Sequence, residues 1–300
     1  MKIAFFHNGN DAFIKPIIEQ LSKKHEVKEL MVQDLQGMFE LMMWADVSWF
    51  EWCVEHIVQA SHLPKVCKIV TRVHRYEVFS NAPDLIKWDY VDRLIKVSSN
   101  LDKYLDGRVG DVKQVVIKNG VDLKKCNFVE KKHGYNLAFI AYLHPRKNFP
   151  LALQIIKKLV DIDSRYTLYV AGSYQDKVSE DYSLHMIKTL GLEKNVIHCG
   201  WIDNINDWLQ DINYVLSTSI HESFGFGIAE AMAAGCKPII HNFDGAESIW
   251  DKKWLFNTVD EAVGFVSGEF NSREYRDFVK DNYNFNDKIK EIEKMIGELK

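Results

Sequence analysis

Three hundred residues exceed what one hydrophobic core usually holds, so the chain predicts two domains. Its 47% apolar and 27% charged residues exclude a disordered or fibrous class, and a formal net charge of −4 argues against a nucleic-acid partner. Five scattered cysteines (Cys53, Cys67, Cys126, Cys199 and Cys236) without CxxC pairing argue against a disulfide framework or a zinc site and fit a reducing compartment.

The first residues, MKIAFFHNGND, hold an apolar run of only four, too short for a signal peptide. No stretch approaches the roughly twenty apolar residues of a membrane span. A cytoplasmic protein is expected, with peripheral contact at the inner membrane surface as the one membrane role left open.

In chain order, KIAFF, HEVKELMV, DVSWF, KVCKIVTRV, RLIKVSS and KQVVIKNG read as strands. Between them DAFIKPIIEQLSKK, DLQGMFELMMW, CVEHIVQASH, APDLIKWDYV and LDKYLDG carry helical apolar spacing. A charged, glycine-containing break, VEKKHGY (129–135), precedes a second series. Its strands are NLAFIAYL, YTLYVAG, NVIHCG, YVLSTS and KPIIH. Its helices are PLALQIIKKLV, YSLHMIKTLGL, INDWLQDI, FGIAEAMAAG and DEAVGFVSG, and two further amphipathic helices, near 272–283 and 286–299, close the chain. Such alternation predicts right-handed βαβ units and parallel sheets. The expected fold is α/β: two Rossmann-like doubly wound domains, 1–130 and 131–283, facing across an interdomain cleft, with a last helix (284–300) packing back on the first. Ligands of such sheets sit beyond the C-terminal strand ends.

One strand end carries an unusual string, HESFGFGIAEAMAAGCKPII (221–240). Its SFGFG turn opens a helix whose first N–H groups favour an anion such as phosphate. Gly225 and Gly227 let a ligand approach the backbone closely. Glu222 and Glu230 can both face that ligand, and a carboxylate accepts well from hydroxyls, of which a vicinal diol such as ribose offers two. A polyol on each side of a phosphate is a nucleotide sugar. Glutamates at this spacing also arise by chance, so the pair alone is a weak signal.

The whole string is specific. It resembles the donor-site signature of the retaining glycosyltransferases of family 4 (glycosyl transferases group 1), which have the GT-B fold. Glu222, Phe224, Gly225, Glu230, Ala231, Met232, Gly235 and Pro238 fall in register with it. The resemblance implies that Glu222 contacts the donor sugar's hydroxyls and Glu230 holds the ribose. It also implies that the N–H groups of Phe224, Gly225 and Phe226 approach the sugar and the diphosphate.

NLAFIAYLHPRKNFPLALQ is similar to the family's strand and GR-L-x-x-x-K-N loop, whose cations neutralise the diphosphate. Lys147 matches the lysine, Ala141 and Tyr142 replace the glycine and arginine, and Arg146 is the candidate to restore the missing charge. KNGVDLKKC resembles the family's NGVD segment and adds Asn119 to the donor side, although Asn-Gly by itself marks a turn. VTRVHRYEVF puts His74 directly after a strand, where the family often has a histidine touching the donor sugar; a lone histidine is more often structural. Arg72, Arg75 and Glu77 crowd the same edge as acceptor-side candidates. FHNGN resembles, through Gly9, the family's glycine loop beneath the diphosphate, and it fails the GxGxxG dinucleotide pattern.

No metal is expected: DID at 161–163 falls at a helix end on the wrong side of the sheet, and the resemblance also implies metal independence. Trp44, Trp49 and Trp52 read as core packing in preference to a membrane-surface or partner face. The resemblance thus implies a hexosyltransferase without a cofactor, using a UDP- or GDP-sugar as donor. Lys147, Glu222 and His74 form its catalytic set. The acceptor would be a hydroxyl of a glycan, lipid-linked sugar or protein, in glycan or glycoconjugate synthesis. Two other readings stand beside it: a nucleotide-sugar epimerase of the same fold, and a nucleotide-sugar-binding subunit that has lost catalysis, motivated by Tyr142.

Overall fold

The computed structural model describes residues 1–9 and 13–299, so the expected helix start at Asp11 and the last residue of FHNGN lie outside the described residues. The chain forms two compact units, Met1–Gly120 with Asn286–Lys300, and Val121–Phe285.

The first unit runs β1 (Lys2–His7), α1 (Lys15–Leu21), β2 (Glu26–Met31), α2 (Leu35–Trp44), β3 (Val47–Glu51), α3 (Glu55–Ser61), β4 (Lys68–Val73), α4 (Ala82–Leu85), β5 (Arg93–Lys96), α5 (Asp102–Leu105) and β6 (Gln114–Val116). Its strands pair in parallel in the order β2-β1-β3-β4-β5-β6. β1, β3 and β4 are almost wholly buried, as continuous apolar runs demand, while β2 at the edge carries Glu26, Lys28 and Glu29 and is mostly solvated.

The second unit runs β7 (Asn136–Ile140), α6 (Phe149–Ile162), β8 (Thr167–Ala171), α7 (Lys177–Thr189), β9 (Val196–Gly200), α8 (Ile205–Trp208), β10 (Tyr214–Ser217), α9 (Phe226–Ala233), β11 (Lys237–His241), β12 (Leu255–Phe256), α10 (Val259–Ser267) and α11 (Ser272–Tyr283). These strands are also parallel, in the order β12-β11-β10-β7-β8-β9. A last helix, α12 (Phe285–Gly297), returns the chain to the first unit, where it buries Ile289, Ile292, Met295 and Ile296. Lys24 pairs with its Glu293 at 2.8 Å, and Arg93 with Glu298, just past its end, at 3.3 Å.

Three stretches depart from helical expectation, one of them INDWLQDI, which yields the single turn of α8 and a 3₁₀ turn, Leu209–Asp211. APDLIKWDYV yields only α4 and a 3₁₀ turn, Trp88–Tyr90, because the Trp88 indole donates to the Pro83 carbonyl at 2.8 Å and buries as a loop anchor. LDKYLDG yields the single turn of α5. The crossing between units falls at Gly120–Val121, ahead of the charged break at 129–135. Residues after it are already held by the second unit: Arg276 of α11 donates to the carbonyls of Leu123, Cys126 and Ala233 at 3.2, 3.1 and 2.6 Å. Trp49 is fully buried, and Trp44 carries the Lys28 ammonium 4.2 Å from its ring centre. No helix among the described residues is long and apolar enough to cross a membrane.

The C-terminal edge of the second sheet is knit by backbone. Ala141 N–H donates to Ala171 at 2.9 Å and Gly172 N–H to Gly200 at 2.7 Å. Gly172 has φ +129°, and a Cβ there would lie 1.9 Å from the Ala141 oxygen. Gly172→Ala should therefore lower stability by roughly 2–3 kcal/mol. Gly264→Ala, inside α10 with open space where the Cβ would stand, should raise it by roughly 0.5–1 kcal/mol. Urea denaturation of the two variants checks both signs.

Candidate active site

In the second unit, two loops are laced together. The Thr218 hydroxyl, just past β10, donates to the carbonyls of Lys147 and Asn148 at 2.8 and 2.9 Å, and Ile220 N–H donates to Arg146 O at 3.0 Å. Residues Pro145–Lys147 form a 3₁₀ turn, and Asn148 takes the left-handed conformation (φ +49°) that starts α6, a geometry asparagine tolerates. This lacing delivers two cations to Glu222. Lys147 Nζ lies 2.5 Å and Arg146 Nη1 2.6 Å from Oε1, and Ser219 Oγ donates to the same oxygen at 2.9 Å. Burial alone would raise the Glu222 carboxyl's pKa; Lys147 and Arg146 overcome it and hold the group below the ordinary carboxylate range. The cluster therefore carries excess positive charge.

α9 starts beside this cluster. Gly225 precedes it at φ +109°, and no side chain caps the helix start. Lys147, Ser219, Glu222, Gly225 and Phe226 line a cavity of about 60 Å³. The Phe224 ring packs on Tyr283 and Phe226, each at 4.9 Å, so only its backbone is available to a ligand. Gly227 does not serve ligand approach as its place in the turn suggests: a Cβ there would lie 2.8 Å from Ile140 Cγ2, so the glycine lets α9 lie on β7. The alanines Ala229, Ala231, Ala233 and Ala234 are buried packing.

Glu230, on α9, differs from Glu222. Burial pushes its carboxyl up to about 7, and no cation offsets that rise. Tyr142, at the family's arginine position, is exposed and stacks on Trp201 with ring centres 5.7 Å apart. The guanidinium comes instead from Arg146, one turn further along. Asp161 and Asp163 pair with Lys157 and Arg165, and no group of side chains suited to hold a metal occurs among the described residues.

In the first unit, the C-terminal edge of the sheet gathers a buried polar network. His74 Nε2 lies 2.7 Å from Glu51 Oε1, Arg72 Nη1 reaches the same oxygen at 3.4 Å, and Arg72 Nη2 donates to Asn119 Oδ1. The Trp52 ring lies 4.3 Å and the Phe13 ring 5.6 Å from the His74 ring. Glu77, expected on the acceptor side, is instead fully buried and accepts from the N–H groups of Cys53 and His74 at 3.0 and 3.1 Å, so it clamps backbone. Arg72 and Asn119 are likewise buried, bound to each other. Arg75 is half-buried, with its guanidinium 5.3 Å from the Phe79 ring. Gly9 is exposed at φ +95° and donates to His7 Nδ1 at 3.1 Å.

Glu51 escaped sequence reasoning, and Trp52, read there as core packing, is only half-buried and lies against the His74 ring. The available signal was a carboxylate closing an otherwise apolar strand, with parallel register setting it beside Arg72.

Comparison with known proteins places this geometry. Residues 122–256, inside the second unit, match the family model of Glycosyl transferases group 1, so this segment is such a domain. The O-antigen biosynthesis glycosyltransferase WclY of Escherichia coli is 25% identical over 213 residues, which are 63% of this chain and 58% of that protein. The poly(ribitol-phosphate) alpha-N-acetylglucosaminyltransferase of Staphylococcus aureus (strain COL) is 29% identical over 103 residues, 34% of this chain and 20% of that one. The chain thus spans less than two thirds of either relative. Among solved structures, Anabaena HepE in complex with UDP superposes with a TM-score of 0.80 at 18% identity, over 99% of this chain and 100% of that one. Sucrose-phosphate synthase of Thermosynechococcus elongatus superposes at 0.78 with 13% identity, over 100% and 99%. The fold is that of these GT-B proteins, α/β with two parallel six-stranded sheets.

The Glu230 shift has a defined sign. A carboxyl raised to about 7 in the fold favours its neutral form, so its contribution to stability is full below the unfolded value near 4.5 and is lost as pH rises through about 7. Glu230→Gln should flatten that part of the melting-temperature profile and leave the variant the more stable of the two at pH ~8. Calorimetry from pH ~5 to ~8 checks it, and an unchanged slope refutes it.

Proposed function

We propose that this protein is a metal-independent, retaining glycosyltransferase of family 4 that moves a hexose from a UDP- or GDP-sugar to an acceptor hydroxyl in glycan or glycoconjugate synthesis. The observation that carries the reading is the Arg146–Glu222–Lys147 cluster beside the uncapped start of α9, within the segment that matches Glycosyl transferases group 1. Excess positive charge at a helix N-terminus suits a diphosphate. O-antigen synthesis and poly(ribitol phosphate) glycosylation in the relatives support a carbohydrate-type acceptor for this chain.

In this reading Lys147, Arg146 and the N–H groups at Gly225 and Phe226 take up negative charge gathering on the departing diphosphate. One such donor contributes about 3 kcal/mol, or roughly a hundredfold in rate. Glu222 accepts from the sugar hydroxyls, and Glu230 from the ribose. The departing phosphate receives the acceptor's proton, so no strong side-chain base is required. His74 offers a hydrogen bond to the transferred sugar, and Arg75 faces the acceptor side. Tyr142 favours one second reading, a binding subunit without turnover; the reach of Arg146 to Glu222 weighs against it.

Thermal-shift screening with UDP-, GDP-, ADP- and CMP-sugars should show stabilisation by one donor. Glu222→Gln should cut transfer from it about a hundredfold while leaving nucleoside diphosphate binding intact, and Lys147→Ala should weaken that binding. No shift with any donor overturns the proposal. A shift without turnover in the presence of acceptors would select the binding subunit, and epimerised donor formed without an acceptor would select the epimerase.

A further inference from the structure

We propose that Glu51 is a positioning residue that fixes the tautomer of His74, so that the ring presents Nδ1 as a hydrogen-bond acceptor. The inference rests on the reading above, in which His74 meets the donor sugar, and it adds the residue that makes that meeting specific.

Glu51 ends β3 and is 2% exposed. Oε1 receives His74 Nε2 at 2.7 Å and Arg72 Nη1 at 3.4 Å, and Oε2 accepts from Trp49 Nε1 at 3.0 Å. Burial pulls the carboxyl toward neutrality, and Arg72, the His74 ring and the Trp49 N–H together outweigh it and hold the group below its ordinary value. An ionised carboxylate only accepts, so the proton between it and His74 belongs to Nε2. A neutral imidazole has one N–H. With that proton on Nε2, the remaining nitrogen, Nδ1, holds a lone pair for a hydroxyl.

The ring is also prevented from turning. Trp52 packs on it at 4.3 Å, and Trp52 itself sits at φ +73°, a conformation that a bulky residue adopts only when its surroundings impose it. Glu77 accepts from the His74 backbone N–H at 3.1 Å and fixes the main chain that carries the ring. A histidine needed only to fill space would not require this company. Apolar packing of equal volume serves stability as well as a buried ion pair does. Here Glu51 of β3 meets the imidazole directly, and Arg72 of β4, itself held by Asn119 after β6, backs that carboxylate at the C-terminal strand ends.

The test begins with the imidazole ¹⁵N spectrum of the unmodified protein, assigned by its loss in His74→Gln. The neutral Nε2–H tautomer is expected, and either the Nδ1–H tautomer or a ring protonated on both nitrogens overturns the inference whether or not any variant folds. Glu51→Gln keeps the side-chain volume, but a single amide oxygen cannot serve Trp49, Arg72 and His74 together, so Nδ1–H signal should appear. Catalysis is read as nucleoside diphosphate release from UDP-glucose and GDP-mannose. Glu51→Gln should lower kcat about a hundredfold with KM little changed, and Glu51→Asp, which keeps the carboxylate, should recover part of it. A folded Glu51→Gln with shifted tautomer and undiminished kcat overturns the inference. If the wild type releases nucleotide from neither donor, the proposed function fails on its own account, and the tautomer spectrum still decides the part of Glu51.

Discussion

A carboxylate taken out of water is costly unless opposite charge and hydrogen bonds surround it, and Glu222 meets that condition with two cations and a hydroxyl on one oxygen. The rest of the second unit's site follows from this requirement. The loop after β7 must bring Arg146 and Lys147 to the loop after β10, so the two are laced through Thr218 and Ile220. Asn148 must then turn through the left-handed region to start α6. The first unit meets the same requirement differently: Glu51 is surrounded by Arg72, His74 and Trp49, again at the C-terminal ends of parallel strands. Strand ends are where loops diverge and polar groups can gather without breaking a sheet.

Glu222 and Glu230 show how little residue type decides. They stand on one short stretch of chain, yet one is held ionised by neighbouring cations and the other is pushed toward neutrality by burial. The difference lies in partners supplied from about 75 positions away. Burial without a cation leaves the Glu230 carboxyl near 7, whereas Lys147 and Arg146 hold Glu222 in its charged form.

Periodicity made the architecture legible because parallel strands buried on both faces read as unbroken apolar runs and their crossover helices as amphipathic ones. α11 runs Ser272–Tyr283, as its apolar spacing suggests. Periodicity failed where one side chain outweighed it. Trp88 turned a helical pattern into a pinned loop, and β12, with two residues, is too short to carry a pattern. Near 120, backbone bonds to α11 held the chain before its composition changed, so the crossing left no mark in the sequence. Within the site, local strings exposed the residues of one turn but not their company. Glu77, Asn119 and Arg72 look like ligand-facing groups in the sequence and prove to be the framework behind His74. Glu51 and Trp52 belong to no motif. Their importance arises from strand register and from one strained torsion.

The exchange at Tyr142 tests whether a motif or a charge inventory matters. Arg146 starts from the 3₁₀ segment four residues past Tyr142, and a guanidinium on a long flexible stem can reach the Glu222 carboxylate from there. Arg146 does so, sharing its Nη1 between Glu222 and the His221 carbonyl. The vacated strand end is then free to carry an aromatic ring, which stacks on Trp201. The local inventory is two cations, one carboxylate and a helix start without a side-chain cap, and the proposed function rests on it. A motif search reads the substitution as a lost arginine. Physically, Glu222 has its guanidinium, supplied by Arg146 four residues beyond Tyr142.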